Sequence, residues 1–119
     1  MDTKSVECFG TDPRAKGVRI ELSPQESLVL PHEHFMYSEF NAWSEHDTLK
    51  LYFMNHEVLL TGYGLRRVEA AIHAKDLAWV AARQGRYRSQ GTEKGFISNI
   101  DVRLLDEEEA NATEPKLRG

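Results

Sequence analysis

The chain has 119 residues, 40% of them apolar and 29% charged, with a formal net charge of −4 at neutral pH. That length fits one domain, and the composition is that of an ordinary folded protein, not a collagen-like or wholly disordered one. The single cysteine, Cys8, excludes an internal disulfide framework, and no stretch approaches the roughly 20 apolar residues of a membrane-spanning helix. No N-terminal run resembles a signal peptide, so the expected setting is a reducing cytoplasm.

In chain order, residues 1–17 carry Gly10, Asp12-Pro13 and Gly17 without any period and read as a flexible lead-in, with Cys8 an incidental free thiol. Val18, Ile20 and Leu22 alternate with Arg19 and Glu21, the pattern of a short strand that Ser23-Pro24 ends. Leu28-Val29-Leu30 before Pro31 reads as a short edge strand. His34 to Trp43 is the next strand, with Met36, Phe40 and Ala42 on one face and Phe35, Tyr37 and Trp43 on the other. Ser44 to Asp47 is a turn by composition.

The stretch from Leu49 to Gln84 holds most of the large apolar side chains. Leu49, Leu51 and Phe53 share a strand face, Asn55-His56 is read as the hairpin turn, and Val58 and Leu60 resume the alternation. Gly62 and Gly64 break the strand. From Leu65 the period changes: Leu65, Val68 and Ile72 form a narrow helical stripe, supported by Ala70, Ala71 and Ala74. Residues 77–83 fit either a strand after a Lys75-Asp76 turn or a continuation of the helix, and the strand is preferred. Arg83 to Gly95 reads as an exposed loop, and Phe96, Ser98, Ile100, Val102 and Leu104 alternate as the last strand. From Asp106 the chain has almost nothing to bury.

The fold expected is therefore α+β: a mostly antiparallel sheet of five to six strands with one helix, about residues 65–74, on one face. Residues 18–105 form a single domain between a flexible segment, 1–17, and a disordered acidic tail, 106–119. One helix cannot cover such a sheet, so the other face is expected to meet a second copy or another protein.

Charge is two-sided along the chain. Gln25 to Asp47 holds five acids and no Lys or Arg, whereas Gly62 to Lys94 holds seven bases against three acids. Arg83, Arg86, Arg88 and Lys94 around Tyr87 have the residue types of a nucleic-acid contact, phosphate binding plus stacking. His32-Glu33-His34 on a strand would aim two imidazoles the same way, and Glu39 lies five residues on. This His-x-His-x4-Glu spacing resembles part of the first cupin motif, in which two His and one Glu hold a metal inside a β-barrel. The resemblance covers eight residues. Glu26 and His46 stand where the motif has glycines, and the Pro-x-Gly-x2-His of the second motif is missing. It implies a small metal-dependent enzyme using His32, His34 and Glu39. A further ligand would come from His46, His56 or His73, which are candidates by residue type alone. Thr61-Gly62-Tyr63-Gly64 before the helix has the look of a truncated anion-binding turn. No nucleophile elbow or phosphate-binding loop is present. The leading expectation is a non-enzymatic, cofactor-free domain that binds protein or itself. Nucleic-acid binding and metal-dependent catalysis are the alternatives.

Overall fold

The structure is a computed structural model that describes residues 7–83 and 95–105. The strands are β1 (Phe9–Thr11), β2 (Gly17–Ser23), β3 (Glu26–Pro31), β4 (Phe35–Ala42), β5 (Asp47–Phe53), β6 (His56–Tyr63), β7 (Leu77–Ala81) and β8 (Phe96–Leu104). A 3₁₀ turn, His32–His34, precedes β4, and α1 (Arg66–His73) stands between β6 and β7. The molecule is mostly sheet with a single helix among the described residues. Among the described residues no helix is long and apolar enough to cross a membrane.

The strands form two four-stranded sheets, not one sheet of five to six. The first has the order β1-β7-β2-β3 and the second β4-β5-β6-β8. Every pairing is antiparallel except β2 with β7, where Arg19, Ile20 and Glu21 lie beside Trp79, Val80 and Ala81. The physical reason for the split is α1. It carries the chain out of the second sheet after β6 and delivers β7 to the first, where β7 pairs with β2 and β1.

Both ends of α1 are set by local chemistry. Gly64 has φ 65, a left-handed turn that a side chain would disfavour. At the other end Lys75 takes the left-handed conformation, φ 64. Its N–H meets the Ile72 carbonyl at 3.0 Å, and the Asp76 N–H meets that of Ala71 at 3.1 Å. These two bonds are the Schellman pattern that stops a helix. Residues 77–81 are therefore a strand.

One core lies between the sheets. Val18, Ile20, Leu30, Leu77 and Val80 from the first sheet meet Leu49, Leu51, Phe53, Val58 and Leu60 from the second, with Leu65, Val68 and Ile72 of α1 in the same cluster. Each sheet thus covers the inner face of the other, and α1 supplements them. The outer face of the second sheet is largely polar: Glu39, Asn41, Thr48, Lys50, Thr61, Asn99 and Asp101 lie on it, with Tyr37, Tyr52 and Leu59 between them.

Three local differences from the sequence reading have simple causes. The expected lead-in contains β1, and Cys8 beside it is buried, its thiol directed at the Ile97 carbonyl 3.8 Å away. Burial raises the pKa of that thiol, against a smaller lowering from the Ile97 hydrogen bond and Arg83. The hairpin turn is Met54-Asn55, one residue earlier than read, because Phe53 stays on the buried face and His56 opens β6. A bulge between Phe35 and Tyr37 turns Phe35 inward, where its ring meets Phe53 edge-on at 5.6 Å and leaves Met36 exposed.

Candidate interaction edge

Among the described residues, the order β4-β5-β6-β8 leaves β4 with β5 on one side only. The direction of its remaining backbone groups follows from the ladder. The Trp43 N–H donates to the His46 carbonyl at 2.8 Å, closing the turn, so Trp43 and His46 are a hydrogen-bonded pair. Such pairs alternate along an antiparallel ladder. Asn41 with Thr48, Glu39 with Lys50 and Tyr37 with Tyr52 are then bonded pairs as well. Ser38, Phe40 and Ala42 point their N–H and C=O groups away from β5, toward the free edge.

The side chains along β4 are anchored on one face and open on the other. Inside, the Arg66 guanidinium lies 4.0 Å from the Phe40 ring centre and also pairs with Glu69 at 2.9 Å. Ser38 Oγ and His73 Nε2 are 3.1 Å apart, and Phe35 meets the His73 ring at 5.8 Å. Outside, Tyr37 stacks on Tyr52 at 4.4 Å, and the Tyr52 hydroxyl donates to Glu39 at 3.4 Å. The Tyr52 pKa is pushed up to about 12, first by burial and then by the charges of Glu39 and Glu57. Trp43 donates from Nε1 to Thr48 and stacks on His46. Met36, Tyr37 and Trp43 are nevertheless 60%, 52% and 57% exposed.

Edge strands are commonly blunted by shortness, proline, charge or bulges. The other three edges use such devices: β1 has three residues, β3 ends at Pro31, and β8 carries Asp101 and Arg103. β4 runs eight residues without Pro, Lys or Arg, and its bulge lies at the first turn of the strand.

The residues singled out for metal binding are placed differently from a strand reading. His32 and His34 occupy the 3₁₀ turn. Three residues per turn rotates them about 120° apart. His32 is 8% exposed, and its Nε2–H donates to the Leu77 carbonyl at 2.9 Å, which ties the turn to β7. Its Nδ1 is buried without a hydrogen-bond partner. Glu39 lies on β4 facing Tyr52, and among the described residues no three His, Cys, Asp or Glu side chains are placed to share a metal ion. Of the basic set, Arg83 lies near the Trp79 indole, 5.9 Å from ring centre to Cζ, and its N–H bonds the Ile97 carbonyl. Arg86, Arg88 and Lys94 lie outside the described residues. At the start of α1 the Leu65 N–H is taken by Asp47 Oδ2 at 3.1 Å, so the glycine turn carries its own carboxylate.

No family model, curated protein or solved structure matches this chain. The sequence marked β4 as a strand with aromatic residues on both faces. Its position at an edge depends on pairings that no local pattern encodes.

Proposed function

We propose that this domain is a non-enzymatic protein-binding module that takes a partner's strand onto β4. The observation that supports it is the eight-residue edge of β4, unpaired among the described residues, which has no Pro, Lys or Arg, keeps its bulge at one end, and has Met36, Tyr37 and Trp43 exposed beside it. An added strand would find N–H and C=O groups already aimed outward at Ser38, Phe40 and Ala42. This is the β-augmentation mode, in which the main chain supplies affinity and alternate side chains supply selectivity. Each main-chain bond contributes about 1 kcal/mol net. Association costs at least several kcal/mol, so a short strand binds in the micromolar range, aided by Tyr37 and Trp43.

The test is selection of displayed extended peptides on immobilised protein at nanomolar density, with Ala42→Pro as the counter-selection. The Ala42 N–H faces the edge, so this substitution removes an outward donor and leaves the β4–β5 ladder intact. Peptides that bind the native protein at least tenfold more tightly than Ala42→Pro are expected. If no peptide distinguishes the two proteins, while both have the same circular dichroism and melting temperature, β4 is not a strand-accepting edge.

A further inference from the structure

We infer that the strand β4 accepts is β4 of a second copy, paired antiparallel about a twofold axis at Phe40. This rests on the reading of β4 as a strand-accepting edge and adds the identity of its occupant. The outward groups restrict the register. Only Ser38, Phe40 and Ala42 present hydrogen-bonding groups along the unbulged part of the edge, so bonded pairs across the axis must be drawn from them.

Five symmetric registers, centred on each residue from Ser38 to Ala42, satisfy that condition. Centring on Asn41 or Ala42 carries Tyr37 and Ser38 past Trp43 against the turn residues and shortens the regular overlap. Centring on Glu39 sets the two Glu39 carboxylates directly opposite, which like charges disfavour. Centring on Ser38 leaves Ala42 and Trp43 outside the regular overlap and draws the bulge between Phe35 and Tyr37 into it. Centring on Phe40 uses the whole regular run from Tyr37 to Trp43. It pairs Phe40 with its own counterpart and Ser38 with Ala42 of the second copy. On the outer face it sets Glu39 opposite Asn41, an acceptor against an amide donor, and Tyr37 opposite Trp43, two exposed aromatic rings. The strand is thus complementary to itself in one register, and pairing there makes a continuous eight-stranded sheet. An isologous contact of this kind closes on itself and stops at two copies.

The segment from Gln25 to Asp47 carries five acids and no Lys or Arg, so two copies meet against a residual like-charge repulsion. Added salt screens that repulsion and raises the dimer fraction, whereas salt would weaken the docking of a basic partner.

Register and occupant are tested together by mixing two single variants of the full chain, Glu39→Cys and Asn41→Cys, under mild oxidation. Opposed residues of a non-hydrogen-bonded pair lie about 4.5 Å apart at Cα, within disulfide reach. Cys8 is buried and does not compete. A covalent dimer is expected in the mixture and in neither variant alone. Light scattering of the native protein should rise from 13.6 kDa toward twice that mass at hundreds of micromolar, and Ala42→Pro should hold it at the lower value. Cross-linking of Glu39→Cys by itself, at the yield of the mixture, would overturn the Phe40 register. A monomeric mass with no cross-link in any sample would overturn the second copy as occupant, and the peptide selection would still report separately on the edge.

Discussion

Replacing Gly62 with alanine tests the way the second sheet is assembled. Gly62 lies in β6 opposite Ile97, beside a register shift between Thr61 and Gly62. An added Cβ there would collide with the Phe96 carbonyl oxygen, with the Phe96 carbonyl carbon at 2.8 Å and Ile97 Cα at 3.0 Å. All three are backbone atoms of the partner strand, and Phe96 and Ile97 are both fully buried, so no side-chain rotation relieves the clash. The start of β8 has to peel from β6. That forfeits part of the burial of Phe96, about 1.5 kcal/mol of a possible 3, together with one or two ladder bonds of about 1 kcal/mol each. The loss is therefore about 3 kcal/mol, a large share of the roughly 5–15 kcal/mol that holds a domain folded. With a urea slope of about 1.5 kcal/mol per molar, the unfolding midpoint moves down by about 2 M. Gly17→Ala is the control. Its Cβ would meet the Val29 Cγ1 at 2.8 Å, the end of an exposed side chain, and the Leu30 carbonyl oxygen at 3.1 Å. Its cost should stay below about 1 kcal/mol, because the side chain can yield. The reasoning is refuted if urea unfolding followed by circular dichroism shows Gly62→Ala no less stable than Gly17→Ala.

Two further outcomes follow from single side chains. His32→Phe keeps a ring of similar size but leaves the Leu77 carbonyl without its donor, so chemical denaturation should register a loss of about 1–3 kcal/mol. A variant as stable as the native protein would mean that this bond does not hold the 3₁₀ turn to β7. Ultraviolet titration of the phenolates should show Tyr52 ionising late, near 12, with Glu39→Gln moving it back toward the ordinary value of 10. Because the folded-state pKa lies above the unfolded one, the folded protein holds that proton more tightly. The stability linked to it is complete below pH 10 and is lost between about 10 and about 12. A Tyr52 that titrates with the unfolded chain would contradict the shielding seen on the outer face.

Local periodicity determined much of the element list. In β5 and β8 the alternation of large apolar side chains leaves a half-buried strand as the natural solution, and the stripe of Leu65, Val68 and Ile72 does the same for α1. These features are legible because a residue's burial repeats with the local geometry of its own segment. β1 escaped notice because three residues around Gly10 are too few to show a period. Gly62 was read as a turn glycine because sequence cannot tell a positive φ from a close approach by another strand. Gly64 is the one with the left-handed backbone, and Gly62 is the one without room for a Cβ.

The partition into two sheets was decided by tertiary structure alone. The parallel pairing of β2 with β7 joins segments separated by the whole second sheet apart from β8, and no repeat in either strand announces it. The candidate site is subject to the same limit. His32-Glu33-His34 stood out by residue type, yet its geometry depends on whether that segment is extended or a 3₁₀ turn and on the Leu77 carbonyl that receives His32. The exposed edge of β4 depends on which strands found partners. Side-chain period is a property of a segment, whereas an edge is a property of the whole arrangement, because it exists only where pairing stops.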